Sequence, residues 1–434
     1  MEALLNVSLM RQVFERELPA ACRIEDCAIV STKYRPGKNI LIAYQLKIID
    51  LVTGQSRNQL MTLLACSMGD SLDLFASAIA KPTFHIPELE AMAWVFPNDR
   101  KLTGLAGLID SVSLSQRFLP EVITRHFGRE WRIVDLVIDP IRYRPERVYT
   151  VRVKLSLRNA RTGDIESRVL FGKTYCLDEG EAAWRLLQIL WNSEARKEGR
   201  ILISDPIAYQ SEIKTIWLCG MEGMTLNECD VRSEHFYELM AKTGSTVAGL
   251  HRTSIKAAPS VTMSEIIAKF ETTAELLGRL RPARREELRS LIEKLVALSD
   301  RIGGSFIATL HGDLHLKNLF VTSDRIARIA LLDLDNLSQG DPLRDLGSFI
   351  ASLHYCGLIE GWADEVVADI SHRFILSYRE NVYWEVSEAS LNWYIAAALI
   401  HERAYRCLTK LTVERVEILD EIIDLASSFA VKAG

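Results

Sequence analysis

Two stretches decide how this chain is read: LHGDLHLKNLFV, residues 310–321, and LLDLDNLSQGDPLRDLGSF, residues 331–349. The first sets two histidines, an aspartate, a lysine and an asparagine among apolar residues that look half buried. Burying such groups costs free energy unless each finds a partner. The stretch therefore predicts a local hydrogen-bond network or a bound ligand.

The spacing narrows the chemistry. Asp313 and Asn318 stand five apart on what must be a loop leaving the apolar strand SFIATL, residues 305–310. Asp333 ends the apolar run IALL, residues 329–332, so its carboxylate emerges from a buried strand and demands a cation or donors. An Asp–x4–Asn pair followed by an Asp at a strand end is how phosphoryl transfer is staffed. One Asp accepts the proton of the attacking hydroxyl, while the Asn and the second Asp hold Mg²⁺ on the nucleotide phosphates. Oxygen ligands of this hard type suit Mg²⁺ and suit zinc poorly. Asp335 stays open between a second metal contact, a substrate contact and a turn. Asp341-Pro342 reads as a helix start with Gly357 as its stop. His251 and His315 read as packing histidines, and Tyr383, Trp384, Trp393 and Tyr394 as core aromatics before a substrate platform.

Composition sets the outer limits. A chain of 434 residues suggests two or three domains. Hydrophobic residues at 48% and charged residues at 25% are the balance of a soluble globular protein. A net charge of −5 argues against a nucleic-acid partner. The first residues, MEALLNVSLMRQVFEREL, predict an amphipathic helix and lack the features of a signal peptide. No apolar run approaches the roughly 20 residues a membrane helix needs. Eight scattered cysteines without a CxxC pair point to reduced thiols, and a cytoplasmic location is expected.

The first half contains a repeat. Arg23–Gly54 and Arg132–Gly163, offset by 109, are identical at ten of 32 positions, including Tyr34-Arg35-Pro36 against Tyr143-Arg144-Pro145. Such self-similarity has to be settled before the rest is read. Each copy alternates like a strand–turn–strand–turn–strand meander, followed by a helix (70–80 and 179–191) and a second strand pair. Trp94 with Trp217, and Leu102 with Leu226, are the expected counterparts. The units expected are 1–122 and 123–226, with a helical remainder 227–434 in which only one stretch, 325–337, reads as a strand or hairpin.

With these motifs in view, HGDLHLKNLFV followed by LLDLDNLSQGDPLRDLGSF resembles the aminoglycoside phosphotransferase and choline kinase family, which has the protein-kinase-like fold. The resemblance spans about residues 130–410. It implies an α+β bilobal fold, with a small antiparallel-sheet N-lobe (123–226), a mainly helical C-lobe (227–434) and a degenerate N-lobe-like repeat (1–122) ahead of them. By position it makes Asp313 the catalytic base and Asn318 and Asp333 the metal ligands. Asp345 becomes the brace of the catalytic loop, and His311 the histidine beneath it. FGKTYC supplies Lys173 for the nucleotide phosphates. Mg²⁺, with ATP or GTP, is the implied cofactor set, and a small polar molecule the acceptor.

Three departures accompany the resemblance. No glycine-rich loop precedes Lys173; its place is taken by the turn YRPER, 143–147. No glutamate stands at the usual distance after Lys173: Glu181 is eight residues on and Glu194 is 21. The first repeat has Leu64 at the Lys173 position. The alternative is therefore a catalytically inactive nucleotide-binding or regulatory module of the same fold. A protein kinase is disfavoured, since HGD stands where HRD is expected and no APE segment follows Asp333.

Overall fold

The computed structural model describes residues 2–67, 69–77, 83–302, 306–411 and 413–434. The chain forms two compact units. The first comprises 1–181, 207–218 and 409–411, and the second 182–206, 219–408 and 412–434.

Both sequence repeats lie in the first unit, and each builds a five-stranded antiparallel sheet. The first contains β1 (Cys22–Arg35), β2 (Asn39–Asp50), β3 (Ser56–Cys66), β4 (Thr83–Ile86) and β5 (Ala91–Val95), in the order β1-β2-β3-β5-β4. The second contains β6 (Trp131–Arg144), β7 (Val148–Asn159), β8 (Ile165–Tyr175) and, after the short β9 (Leu202–Ile203) of the other unit, β10 (Pro206–Gln210) and β11 (Thr215–Cys219). Its order, β6-β7-β8-β11-β10, is the same wiring. Even the first bulge recurs, at Ile24/Asp26 and at Ile133/Asp135. Helices expected from periodicity form over Asp70–Ala76 and Glu179–Trp191. Residues 78–80, also expected in the first of these, lie outside the described residues.

The first sheet is covered on both faces. Met10, Val13 and Phe14 of helix Val7–Arg16 pack on one side against Ile40, Ile42, Tyr44 and Leu63. On the other, Leu41, Leu64, Met92 and Trp94 form their own cluster. Leu64 is thus held by apolar neighbours, in a setting where a lysine charge would be desolvated.

One expected correspondence is corrected. Left-handed turn residues Glu90 (φ 46°) and Lys214 (φ 47°) are equivalent, each accepting from the end of the meander: Cys66 N–H at 3.0 Å and Tyr175 N–H at 3.1 Å. This spacing of 124 pairs Leu102 with Leu226 but Ala93, not Trp94, with Trp217. A one-residue shift moves a strand side chain to the opposite face. Trp217 packs over Gly172, where a Cβ would come within 2.7 Å of its ring. The first copy has Leu63 opposite Ala93 at this place, so the large and small partners are exchanged.

The second unit is mainly helical, with helices Glu234–His251, Met263–Leu280, Arg285–Ser299, Leu343–Glu360, Asp364–Glu380, Glu388–Ala398 and Leu419–Lys432. Helix Leu343–Glu360 runs through Gly357, the expected stop, and ends at Gly361 in the left-handed conformation (φ 68°). Gly357 is buried, and tertiary packing carries the helix past it. Short strands form as well: β12 (Gly223–Thr225), β13 (Ala308–Leu310) at the end of the expected strand 305–310, β14 (Leu319–Thr322), β15 (Ile329–Leu331) within the expected stretch 325–337, and β16 (Ser338–Gly340). Strands of three or four residues leave too little sequence for periodicity to register. Ser305 of the expected strand 305–310 is outside the described residues. No described helix is long and apolar enough to cross a membrane.

Candidate active site

Two loops carry the residues singled out in the second unit. The first, 311–318, connects β13 to β14, and the second, 332–337, connects β15 to β16. Pairing of Leu310 with Ser338 in β13–β16, and of Leu319 with Leu331 in β14–β15, brings the two loops side by side. Hydrogen bonds then stitch them. Asn318 Nδ2 donates to the Asp313 carbonyl at 2.8 Å, Leu332 N–H to the Asn318 carbonyl at 2.8 Å, and His311 Nε2 lies 2.9 Å from the Leu332 carbonyl. His311 and Asn318 are buried, whereas the Asp313 side chain is 46% exposed. This answers the polar content of 310–321: its buried members are partnered inside the loop pair.

Asp345, in the first turn of helix Leu343–Glu360, clamps the first loop. Its carboxylate accepts the backbone N–H of His311 and, at 3.0 Å, that of Gly312. His251 Nε2 lies 3.2 Å from the same carboxylate and His251 Nδ1 2.8 Å from the Tyr378 hydroxyl. Burial alone would raise the Asp345 carboxyl, but the hydrogen bond and charge of His251, with His311 and Arg344, outweigh it and hold it below the ordinary value. Gly312 has φ +78°, and a Cβ there would come within 2.3 Å of the Asn336 carbonyl. Only glycine suits both the conformation and that approach.

Asp333 leaves β15 in the left-handed conformation (φ 57°), costly for a residue other than glycine and tolerated where the surroundings impose it. Asp335 lies in the following turn, Leu334–Asn336. Asp341 Oδ1 accepts the Leu343 N–H at 2.8 Å, the helix-start role expected of it. His315 Nε2 is 3.8 Å from the Asp313 carboxylate. Burial pushes the His315 imidazole down to about 4, against the pull of Asp313 and with the help of Arg403, Arg406 and His311. It is therefore neutral at pH 7.

The sequence reading missed a third element. Helix Glu388–Ala398 continues through a π-helical segment, Leu399–Ala404, containing His401, Glu402 and Arg403. Segments of this kind are frequent at functional sites. Ser348, one turn beyond Asp345, donates to Glu402 at 2.6 Å, and Arg403 donates to Glu402 at 2.8 Å and to the Ser348 carbonyl at 3.2 Å. The visible signal was the charged triplet HER (401–403) inside the apolar run WYIAAALIHERAY. Trp393 and Tyr394 are core residues, Trp393 Nε1 donating to the Leu295 carbonyl at 2.8 Å.

Lys173 belongs to the first unit, on β8 opposite Thr150, with its ammonium 5.6 Å from the centre of the Tyr175 ring. Glu181 is exposed in the first turn of helix Glu179–Trp191.

Residues 183–375 match the family model described as "Phosphotransferase enzyme family". The match covers less than half of the chain but includes both loops and Asp345, and it bears out the resemblance drawn from their sequence. No curated protein matches significantly. Among solved structures, a spectinomycin phosphotransferase bound to ADP and spectinomycin is similar at 15% identity and TM-score 0.47, over 72% of this chain and 97% of that one. An ethanolamine kinase of Plasmodium vivax (14%, TM-score 0.48, covering 74% and 91%) and a choline kinase of Streptococcus pneumoniae (13%, 0.42, covering 68% and 95%) are likewise similar.

Proposed function

We propose that this chain is a small-molecule kinase, transferring the γ-phosphoryl group of ATP or GTP to a hydroxyl of a small polar metabolite or antibiotic. The observation that supports this most directly is the stitched loop pair. The loops that carry Asp313, Asn318 and Asp333 are joined by the Asn318 amide and by the N–H of Leu332, next to Asp333, with the Asp313 carboxylate left accessible.

Asp313 is the base: it accepts the acceptor's hydroxyl proton as that oxygen attacks the γ-phosphorus and the bond to the β-phosphate oxygen breaks. Asn318 and Asp333 offer only oxygen ligands, a set that fits Mg²⁺. The Asn318 nitrogen is committed to the Asp313 carbonyl, which makes its amide oxygen the ligand atom. Bound there, Mg²⁺ would neutralise developing phosphate charge. Asp345 keeps the loop in place, His311 ties it to the strand leading to Asp333, and Lys173 takes the nucleotide phosphates. The expected location is the cytoplasm.

Transfer or hydrolysis with Mg²⁺ and nucleotide tests the reading. Asp313→Ala is expected to lower turnover by about 10²- to 10⁴-fold without lowering the melting temperature, since the side chain is half exposed. Unchanged turnover would sink the mechanism. Nucleotide binding without turnover across a broad acceptor panel would assign the chain to the inactive, regulatory reading instead.

A further inference from the structure

The first repeat has Leu64 where the second has Lys173, so its presence needs another explanation. The two repeats are joined by a buried polar contact centred on Asp99, in the segment that follows β5. Asp99 is 1% exposed. Its Oδ1 accepts the N–H of Lys101 at 2.7 Å and of Leu102 at 2.9 Å, closing its own turn. Its Oδ2 reaches into the second repeat, accepting the Tyr143 hydroxyl at 2.6 Å and the Glu146 N–H at 2.9 Å. Trp94 Nε1 donates to the same hydroxyl at 3.3 Å. Glu146, buried and left-handed (φ 59°), is paired with Arg100 at 2.6 Å and Lys101 at 3.3 Å. Residues 99–101 thus grip the turn YRPER from outside its own sheet.

The sheet register says what that turn borders. Arg142 pairs with Thr150, and Thr150 with Lys173; Arg144 pairs with Val148, and Val148 with Tyr175. Directly opposed residues share a face of the sheet, so Arg142 and Arg144 are on the face of Lys173, and Tyr143 is on the other, toward Asp99. The turn has no glycines whose N–H groups could wrap a phosphate. What this turn and the end of β6 add to the Lys173 face, one strand beyond β7, is a pair of arginines, whose planar forks suit phosphate oxygens.

We propose that Asp99 is a positioning residue: from the first repeat it fixes the 143–147 turn of the second, and with it Arg142 and Arg144 on the Lys173 face, for binding nucleotide phosphates. This rests on the kinase reading. It gives the repeat that has Leu64 in place of Lys173 a role, as the rigid support of a turn that in this chain cannot rely on glycine backbone.

The test is a titration of the full chain with Mg²⁺ and ATP, using Asp99→Asn, Tyr143→Phe, Lys173→Met and Phe14→Leu. The asparagine keeps an oxygen for Lys101 and Leu102, but its NH₂ cannot accept from Tyr143 or Glu146. Tyr143→Phe removes the hydroxyl's bonds to Asp99 and Trp94 and leaves the Asp99 side chain intact. Both are expected to weaken nucleotide binding about tenfold. Phe14→Leu, in the first-repeat core, is expected to lower the melting temperature and leave affinity unchanged. Asp99 and Tyr143 variants that behave like Phe14→Leu, while Lys173→Met loses binding, would overturn this inference and leave the kinase reading standing. A wild-type chain that binds no nucleotide would overturn both.

Discussion

The Asp345 carboxylate accepts the backbone N–H of Gly312 at 3.0 Å, so a buried helix side chain fixes the loop that bears Asp313 one residue later. The same carboxylate holds the His311 N–H and meets His251. Asp345→Asn replaces an acceptor by an NH₂ group facing N–H donors, leaving at least one buried donor unmet. We predict a loss of about 2–3 kcal/mol, seen as a lower melting temperature, with turnover falling further than the unfolded fraction explains. A variant with wild-type stability and turnover would remove the clamp from the mechanism.

Gly312→Ala is predicted to damage the site more than its single methyl suggests. The alanine must adopt φ +78° and approach the Asn336 carbonyl to 2.3 Å unless the loop moves. A cost of about 3 kcal/mol is expected, with Asp313 displaced and turnover lost. Gly163→Ala is the control, since φ is +81° there but no atom lies within 4 Å of the added Cβ. It should cost only about 1 kcal/mol and leave turnover intact. Equal behaviour of the two variants in melting and activity assays would show that the contact with Asn336 is unimportant.

His315 predicts a pH dependence of stability. In the unfolded chain it protonates near its ordinary 6.5, in the fold only near 4. Between those values the unfolded state binds more protons, so stability rises with pH across the window, is complete above 6.5 and is lost as pH falls toward 4. The shift corresponds to roughly 3 kcal/mol. Denaturation of the metal-free chain across this window should show a shallower slope for His315→Gln than for wild type, and identical slopes would refute the assignment.

The paired positions Lys173 and Leu64 predict opposite outcomes. Lys173→Met should leave the melting temperature near wild type and weaken nucleotide binding at least about tenfold. Leu64→Lys buries a charge among Leu41, Met92 and Trp94. It should destabilise the chain by about 3 kcal/mol or more and create no second nucleotide site. A stable Leu64→Lys chain binding two nucleotides would show that the first repeat retains an open phosphate face.

Long elements were legible in the sequence because their patterns repeat enough times to register. The meanders at offset 109, helix 179–191, the helical character of 227–434 and the α+β division all follow from alternation, helical period and caps. The short strands β12, β14 and β16 were not, although pairing of β14 with β15 and of β16 with β13 sets the two site loops side by side; β12 and β16 gain their hydrogen bonds from partners distant in sequence. Gly357 was misread as a stop because a glycine inside a helix is decided by packing, which local sequence does not carry. The Trp94–Trp217 match failed because matching residue types ignored a one-residue shift, which in a strand reverses the face.

For the candidate site, residue types and spacing singled out Asp313, Asn318 and Asp333, because hard oxygen ligands and a base are a short chemical vocabulary, and the family resemblance added Asp345 and Lys173 by position. Only the tertiary structure decided what holds them. His251, 60 residues before His311, shares the Asp345 carboxylate with it; Ser348 meets Glu402 and Arg403 from a different helix; Asp99 reaches Tyr143 and Glu146 across the repeats. Each is a buried polar contact between residues distant in the chain. Its free energy depends on which groups burial leaves without water, and that is settled only once the chain has folded.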